Sequence, residues 1–252
     1  MTSDATLFTG QVVVLVGASN GIGRAAASLI ASRGAKIVIA DMNADGLAEL
    51  ATELKLPANQ VHLLDVSDQS AVTNVIANII KDHGRIDALI NSAGIVGQTN
   101  VKIEDLDWSN FEKTMQVNLY GAIWLTQQVI PQMKTQAYGR IVHLSSIAGK
   151  EGNPGMASYN TSKAGLIGFV KGAAKELAAD GIIINALAPA VISTPMNSNT
   201  SEETLKYMIS RIPLGRTGQA SEVAEIIAFM ASPACSFTTG FTFDISGGRA
   251  TY

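Results

Sequence analysis

The sequence has few of the residues that build disulfide frameworks or metal centres. It contains one cysteine in 252 residues, Cys235, which excludes an intrachain disulfide and a cysteine-rich zinc site. His62 and His83 have no metal-ligand spacing around them, so we predict no metal site. This cysteine content is typical of a reducing compartment, and we expect a cytoplasmic protein.

Charge and long apolar runs are also scarce. Charged residues make up 15% of the chain and the net charge is −3, so nothing favours nucleic acid or an anionic membrane as a partner. Apolar runs such as Val12–Val16 and Gly181–Ala188 fall well short of the ~18 residues that suggest a membrane span. Residues 1–10 include Asp4 and no basic cluster, which does not fit a secretory signal.

Short apolar runs alternate with helical patterns throughout the chain. The predicted strands are Val12–Val16, Lys36–Ala40, Val61–Leu64, Ala88–Asn91, Arg140–Leu144, Ile182–Ala186 and Phe241–Asp244. The predicted helices include Ile22–Arg33, Ala44–Leu54, Ser70–His83, Trp108–Met133 and Ser158–Ala179. This alternation predicts an α/β fold with a doubly wound parallel sheet, and a ligand crevice at the carboxyl ends of the strands.

We expect one domain over residues 1–252, because no linker, repeat or low-complexity segment interrupts the pattern. The longest irregular stretch covers about 189–217 and contains a short predicted helix, Ser201–Arg211. A long connection in a compact domain is often a binding loop. We therefore predict a substrate lid there.

A glycine-rich turn follows the first predicted strand. The segment from Gly17 to Gly23 (GASNGIG) has the spacing GxxxGxG and precedes a helix. Glycines let the backbone turn tightly beside a pyrophosphate, which then sits at the positive N-terminus of the helix. A tight turn without a ligand is the alternative, but the position after the first strand favours a dinucleotide site.

Asp41 ends the second predicted strand, where a carboxylate can accept hydrogen bonds from the adenosine ribose. It would repel the 2′-phosphate of NADP, and the neighbouring positions Asn20 and Met42 carry no cation. NAD is therefore favoured as the cofactor. The alternative for Asp41 is a helix cap before Ala44.

Two further turns follow predicted strands. Asp65-Val66 follows the third strand, and Asn91-Ser92-Ala93-Gly94 follows the fourth. Small residues there would let adenine and ribose lie against the backbone, although each segment alone is an ordinary turn signal.

Tyr159 and Lys163 lie four residues apart on a predicted helix and so share one face. A nearby ammonium favours the phenolate, as does the positive ring of an oxidised nicotinamide. Tyr159 would then be a general base for alcohol oxidation and a general acid for ketone reduction. Ser146, at the end of the fifth strand, is placed to hold the substrate oxygen. Strand alternation points its neighbour Ser145 the other way.

Two polar residues in apolar surroundings have competing interpretations. Asn118 lies within the long helix Trp108–Met133, either as a functional group or as a satisfied core amide. His143, in the fifth strand, is more typical of a packed residue than of a catalyst.

Taken together and in order, these motifs resemble the short-chain dehydrogenase/reductase family over nearly the whole chain. The matching elements are Gly17-x-x-x-Gly21-x-Gly23, Asp65, Asn91-Ser92-Ala93-Gly94, Asn118, Ser146, Tyr159-x-x-x-Lys163 and Asn185-x-x-x-Pro189. Val16, Ser92, His143 and Ala190 depart from the usual family pattern. None of these departures removes a catalytic group.

The resemblance implies a seven-stranded sheet, a homotetramer and a catalytic tetrad of Asn118, Ser146, Tyr159 and Lys163. It implies that Asn118 supports a proton-relaying water and that Lys163 also holds the nicotinamide ribose. The implied cofactor-binding residues are Gly17, Ser19, Asn20, Gly21, Ile22, Gly23, Asp41, Met42, Asp65, Val66, Asn91, Ala93, Gly94, Tyr159, Lys163, Pro189, Ile192 and Thr194.

Two segments resemble bacterial members of the family that oxidise 2-keto-3-deoxy sugar acids. They are Gly149–Pro154 and Cys235–Gly240 continuing to Ser246–Tyr252. The substrate is then an acidic polyol, which Lys150, Asn153 and Arg249 would suit unless they are solvated loop residues. An NADP-dependent carbonyl or 3-oxoacyl reductase is the alternative enzyme, and a non-catalytic dinucleotide-binding scaffold is the alternative of another class.

The C-terminal residues Arg249–Tyr252 follow two glycines. We expect them to be ordered, to pack on a partner subunit and to help close its pocket, with Arg249 paired to a substrate carboxylate or to an acidic residue across the interface. A mobile tail is the alternative.

Overall fold

A computed structural model describes residues 6–195 and 201–252. Its centre is a sheet of seven parallel strands. The strands are β1 (Val12–Val16), β2 (Lys36–Asp41), β3 (Val61–Leu63), β4 (Ala88–Asn91), β5 (Gly139–Leu144), β6 (Ile182–Pro189) and β9 (Thr242–Ile245). The order across the sheet is β3-β2-β1-β4-β5-β6-β9. A separate two-stranded parallel sheet joins β7 (Ile192–Ser193) to β8 (Gly218–Gln219).

Helices connect the strands and cover both faces. They are α1 (Gly21–Ser32), α2 (Ala44–Leu54), α3 (Gln69–His83), α4 (Trp108–Met115), α5 (Gly121–Gln136), α6 (Ile147–Glu151), α7 (Ala157–Leu177), α8 (Glu202–Ser210) and α9 (Ala220–Ala231). A π-helical turn, Gln116–Tyr120, joins α4 to α5. This architecture confirms the predicted fold class.

The core has two layers because the central strands bury side chains on both faces. On one face, Leu15 and Ile39 pack with α1, α2 and α9. On the other, Val14 and Ile141 pack with α3, α5 and α7. All five residues of β1 are buried, which explains why its sequence is apolar without alternation.

Several elements were not predicted. The helix predicted over Trp108–Met133 is interrupted by the π-helical turn and ends at Gln136. Helices α6 and α9 and strands β7 and β8 were also absent from the sequence prediction. Strand β6 extends past the predicted Ala186 to Pro189, because its last four residues pair with β9.

The parallel arrangement brings the carboxyl ends of β1, β2, β4, β5 and β6 to one edge of the sheet. Each of these ends is followed by a segment that the sequence marks as functional. The predicted lid, 189–217, also starts at this edge with β7, but its residues 196–200 lie outside the described part of the chain.

Candidate active site

The glycine turn lies between the end of β1 and α1. Gly17 has a φ of 80°, and a Cβ at this position would lie 2.5 Å from the backbone nitrogen of Ala93. A Cβ on Gly23 would lie 1.9 Å from the Gly17 carbonyl oxygen. The turn, the start of α1 and the segment after β4 are therefore in backbone contact, which only glycine permits at these two positions.

The N-terminus of α1 is free of side-chain caps within the described chain. Its N-cap residue, Asn20, makes no side-chain hydrogen bond to the helix, and the first turn has no acidic residue. By contrast, Asn43 caps α2 and Asp68 caps α3. The uncapped N–H groups of a 12-residue helix beside a glycine turn fit a pyrophosphate. Both features agree with a dinucleotide at this edge.

Asp41 is held by two backbone hydrogen bonds. Its Oδ2 accepts from the Ser19 nitrogen at 2.9 Å, and its Oδ1 accepts from the Asn43 nitrogen at 3.0 Å. Asn43, not Asp41, caps α2 by accepting from Gly46. Asp41 therefore links the end of β2 to the glycine turn, with the neighbouring Met42 68% exposed.

The segment after β4 lies beside this turn, and the segment after β3 follows the strand that pairs with β2. The Asp65 carboxylate accepts from the nitrogen and hydroxyl of Ser67. Val66 is buried, and Asn91 accepts from the Ala93 nitrogen at 3.2 Å. The hydroxyl of Ser92, where the family commonly has asparagine, donates to the Gly17 oxygen at 2.9 Å and so supports the turn.

The segment after β6 reaches the same turn. A Cβ added to Gly21 would lie 3.3 Å from the side chain of Thr194. Ile192 is buried in β7, where it pairs with Gly218. Pro189 ends β6 and pairs with Ile245. Thr194, predicted to contact the nicotinamide, therefore lies against the glycine turn.

The predicted catalytic residues lie close together beyond the carboxyl end of β5. They are Ser146, Tyr159 and Lys163. Ser146 is the N-cap of α6, and its Oγ accepts from the Ala148 nitrogen at 3.1 Å. Lys163 is 4% exposed, and its Nζ lies 5.7 Å from the centre of the Tyr159 ring. The Lys163 Nζ donates to the Leu144 carbonyl oxygen at 2.7 Å.

Burial changes the titration of both groups on α7. Burial raises the pKa of Tyr159 above its usual value, and a hydrogen bond with Ser146 lowers it by a smaller amount. Burial lowers the pKa of Lys163 to about 8. The sequence predicted a Tyr159 pKa lowered by Lys163. In this structure burial has the larger effect and the opposite sign.

Asn118 lies in the π-helical turn and is 1% exposed. Its Oδ1 accepts from the Ile95 nitrogen at 2.8 Å, and its Nδ2 donates to the Ile95 oxygen at 2.9 Å and to the Ser162 Oγ at 3.0 Å. A Cβ added to Gly94 would lie 3.2 Å from the Asn118 Oδ1 and 3.3 Å from the Lys163 Nζ. Asn118 therefore joins the β4 loop to α7.

His143 is fully buried in β5, three residues before Ser146. Its Nε2 lies 2.8 Å from the Thr126 Oγ1, and its Nδ1 has no hydrogen-bond partner among the described residues. Burial, with a smaller contribution from Lys163, lowers its pKa to about 3. This agrees with the prediction of a packed strand residue.

Sequence reasoning missed Ser162, whose hydroxyl accepts from Asn118 and donates to the Tyr159 carbonyl at 2.9 Å. Its position directly before Lys163 in the sequence could have indicated that it belongs to the site.

The predicted substrate-binding side chains Lys150 and Arg249 are not solvated. Lys150 pairs with Asp244 at 2.9 Å and its side chain is 6% exposed, whereas Arg249 pairs with Glu151 at 2.9 Å and is 5% exposed. Arg249 is therefore paired within its own chain, and its pairing with a partner subunit or a substrate stays a prediction.

The described residues contain no group of three or more histidine, cysteine or acidic side chains that would hold a metal ion. No helix in the described ranges is long and apolar enough to cross a membrane.

The strand order, the glycine turn and the buried Ser–Tyr–Lys cluster define a dinucleotide-dependent oxidoreductase. Residues 17–250 match the family model described as enoyl-(acyl carrier protein) reductase. The chain is 42% identical over 252 residues to 2-dehydro-3-deoxy-L-rhamnonate dehydrogenase (NAD(+)) of Sphingomonas sp. (strain SKA58), covering 100% of both chains.

It is 40% identical over 242 residues to the 3-oxoacyl-(acyl-carrier-protein) reductase FabG of Thermotoga maritima, covering 95% of this chain and 97% of the relative. The solved structure of gox2181 superimposes with a TM-score of 0.92 at 31% identity, covering 99% of each chain. The chain belongs to the short-chain dehydrogenase/reductase family, so it is an oxidoreductase and not a dinucleotide-binding scaffold.

Proposed function

We propose that this enzyme uses NAD⁺ to oxidise a secondary hydroxyl of a 2-keto-3-deoxy sugar acid to a ketone. The observation that carries the proposal is the meeting of Ser146, Tyr159 and Lys163 at the same sheet edge as the glycine turn. Only residues at that edge can contact both a cofactor and a substrate. We propose a single domain over residues 1–252, with 189–217 as the substrate lid.

The choice of NAD⁺ over NADP⁺ rests on charge. Asp41 is held with its carboxylate at the glycine turn, where it would repel a 2′-phosphate. Asn20 and Met42 are exposed and uncharged. Arg24 pairs with Glu49 at 3.3 Å and Glu53 at 2.9 Å, so its charge is already compensated.

A bound nicotinamide would supply the acceptor for the hydride that leaves the carbinol carbon. The turn Gly17–Gly23 and the start of α1 would hold the pyrophosphate. Asp41 and Met42 would flank the adenosine ribose, and Asp65 with Val66 would flank the adenine. Asn91, Ala93 and Gly94, followed by Pro189, Ile192 and Thr194, would line the nicotinamide half, where Lys163 would contact the ribose.

Tyr159 is the proposed general base, taking the hydroxyl proton as the carbon–hydrogen bond breaks. Its side chain is partly buried, and this burial raises its pKa, so the neutral acid dominates unless positive charge offsets the effect of burial. The Lys163 ammonium and the oxidised cofactor would supply that charge. Ketone reduction is the reverse, with Tyr159 as the acid.

Ser146 would orient the substrate oxygen, because it follows β5 closely and lowers the pKa of the Tyr159 phenol that receives the proton. Asn118 hydrogen-bonds to Ile95 and to Ser162. These bonds fix the position of Gly94, which precedes Ile95, and of α7, which contains Ser162. A proton-relaying water supported by Asn118 remains a prediction of the family resemblance.

The substrate class is supported by the Sphingomonas relative, whose name specifies a 2-dehydro-3-deoxy sugar acid and NAD(+). The T. maritima relative is a 3-oxoacyl reductase, which favours reduction of a 3-oxoacyl thioester or another carbonyl with NADPH as the second candidate. Cofactor choice separates the two, since Asp41 would disfavour NADPH.

The test is a panel of 2-keto-3-deoxy sugar acids, simple secondary alcohols and a 3-oxoacyl thioester, each assayed with NAD(H) and NADP(H) by nicotinamide absorbance. We expect the highest kcat/KM with a sugar acid and NAD⁺. Higher kcat/KM for the thioester with NADPH would overturn the proposal in favour of the second candidate.

We also propose a homotetramer in a reducing cytoplasm. Strand β9 is an open edge of the sheet, and the aromatic side chains near it are exposed: Phe237 fully, Phe241 to 55% and Phe229 to 42%. An exposed apolar patch beside an open edge is typical of an interface. Light scattering should give four chains per particle, and a monomer at micromolar concentration would contradict this.

A further inference from the structure

The C-terminal tail, Ser246–Tyr252, folds back onto the same chain. Gly247 and Gly248 have φ values of 65° and 90°, and a Cβ on Gly247 would lie 2.6 Å from the Ile212 Cγ2. The Leu214 nitrogen donates to the Gly247 oxygen at 3.1 Å, and the Ala250 nitrogen donates to the Ser246 Oγ at 3.1 Å. The reversal directs the last residues toward α6.

Arg249 is the first contact of the tail with α6. Its Nε donates to the Glu151 Oε2 at 2.9 Å and its Nη2 donates to the Asn153 Oδ1 at 2.8 Å. The side chains of Arg249 and Glu151 are 5% and 17% exposed, so this pair is less screened than a surface pair. Glu151 is the last residue of α6.

Tyr252 is the second contact. Its hydroxyl donates to the Lys150 carbonyl oxygen at 2.7 Å, and its ring lies 5.0 Å from the Lys150 Nζ. Carbonyls in the last turn of a helix have no partner within the helix, so the tyrosine supplies one. Lys150 also pairs with Asp244.

The other end of α6 carries Ser146. The helix has only five residues, too few to be stable without tertiary contacts. Its flank packs on α7, where a Cβ on Gly149 would lie 2.7 Å from the Lys163 carbonyl carbon. We therefore expect a displacement at Glu151 to move Ser146 as well.

The loop after α6 is connected to α7 as well. The Asn153 nitrogen donates to the Asn160 Oδ1 at 3.1 Å, and the Asn160 Nδ2 donates to the Asn153 oxygen at 2.8 Å. Asn160 follows Tyr159 in sequence. The tail therefore contacts Glu151 and Asn153, which lie midway along the segment that joins Ser146 to Tyr159.

We propose that Arg249 and Tyr252 are positioning residues that fix the C-terminal end of α6 and thereby hold Ser146 against Tyr159. This inference rests on the roles proposed above for those two residues. It differs from a role in subunit assembly, because every contact that carries it lies within one chain.

Loss of the tail contacts with α6 should change the pH dependence of turnover. The hydrogen bond from Ser146 lowers the pKa of Tyr159, so loosening α6 should raise it. In the oxidation direction, the rise of kcat/KM with pH should then move to higher pH. A loss of stability alone would not move this titration.

The test compares Arg249→Met and Tyr252→Phe with the parent, using NAD⁺ and the substrate of highest turnover in the panel above. The matched control is Arg33→Met, which removes an Arg–Glu pair with Glu225 at 2.7 Å on the opposite side of the core. Hydrogen exchange of the peptide covering residues 145–155 reports on α6 without any substrate.

We expect Arg249→Met to lower kcat about tenfold, to shift the pH profile upward by about half a unit and to leave the Kd for NADH unchanged. Its α6 peptide should exchange faster. Tyr252→Phe should do the same to a smaller extent, Arg249→Lys should recover part of the loss, and Arg33→Met should match the parent.

Parent-like kcat and pH profile in both Arg249→Met and Tyr252→Phe would overturn the inference, whatever the exchange rates. Tyr159→Phe and Ser146→Ala are measured in parallel. If these two retain full turnover, the proposed function fails instead. If they are inactive and the tail variants are normal, only the positioning role fails.

Discussion

The glycine turn after β1 and the buried cluster behind β5 lie at the same edge of the sheet but are held in different ways. Backbone approach holds the turn, where a Cβ on Gly17 would lie 2.5 Å from the Ala93 nitrogen. Side-chain hydrogen bonds across the core hold the cluster, including Asn118 to Ile95 and Lys163 to Leu144. The turn should therefore be sensitive to added volume, and the cluster to lost polar groups.

The largest expected effect is the loss of kcat on substitution of Tyr159 in the buried cluster. Tyr159→Phe removes only the phenolic oxygen, so kcat should fall by about 10²- to 10⁴-fold while the Kd for NADH stays near that of the parent. Stopped-flow hydride transfer and NADH fluorescence measure the two quantities. Tyr138→Phe, which removes a hydroxyl that accepts from the Gln11 Nε2 at 3.1 Å at the other end of β5, is the control. Near-normal turnover in Tyr159→Phe would show that this cluster does not move the proton.

The next effect tests the turn. Gly10 and Gly17 both have a φ of 80°, but a Cβ on Gly10 would meet nothing within 4 Å. Gly10→Ala should cost only the backbone strain, about 1–2 kcal/mol of unfolding free energy. Gly17→Ala should cost more and should raise the Kd for NADH at least about tenfold, because the chain must move away from Ala93. Urea unfolding and NADH titration measure both changes.

Equal effects of the Gly10→Ala and Gly17→Ala substitutions would mean that backbone strain, and not close approach, explains the glycine. Close backbone approach would then not be what holds the turn.

A third effect concerns pH and the cluster. Burial lowers the pKa of His143 to about 3, so the folded protein keeps this ring neutral where the unfolded chain, at 6.5, would protonate it. The stability it contributes is fully present above pH 6.5 and is lost as the pH falls toward 3. Between pH 6.5 and 5 the loss should reach about 2 kcal/mol.

His143→Gln cannot protonate and should remove this part of the acid dependence, whereas His62→Gln, at a half-buried position where burial also lowers the histidine pKa, should remove a smaller part. Urea unfolding at several pH values provides the measurement. A pH slope in His143→Gln equal to that of the parent would contradict the assignment.

The smallest effect is a change in cofactor preference at the turn. Asp41→Ala combined with Met42→Arg removes a repulsion and adds a phosphate partner, so the ratio of kcat/KM for NADP⁺ to that for NAD⁺ should rise about tenfold or more. Asp45→Ala, in the first turn of α2, is the control. A parent protein that already prefers NADP⁺ would show that Asp41 does not select the cofactor.

Prediction from sequence was most accurate where structure depends on local pattern. The bounds predicted for Val12–Val16 and Ala88–Asn91 match β1 and β4, since continuous apolar runs between turns need no distant partner to be recognised. The predicted α1 differs from the observed helix by one residue at each end, and the predicted α3 by one residue at its N-terminus. The residues predicted for the site also lie along one sheet edge, because parallel topology places strand ends there.

The failures share a different cause. The π-helical turn at Gln116–Tyr120 has no local signal, and it coincides with the hydrogen bonds of Asn118 to Ile95, 23 positions away. Helix α6 is too short for a periodic pattern. The effect of burial, which raises the pKa of Tyr159, was missed because sequence spacing does not report burial; the lowering by Lys163 and an oxidised nicotinamide stays a prediction.

The sequence by itself determined the alternation of strands and helices, the glycine turn and the pairing of Tyr159 with Lys163 on one helix face. These depend on backbone propensity and on short spacings. Tertiary structure alone decided that Arg249 pairs with Glu151, 98 positions earlier, and that Tyr252 reaches Lys150, 102 positions earlier. Such contacts form only after the sheet has brought distant segments together, so no local pattern encodes them.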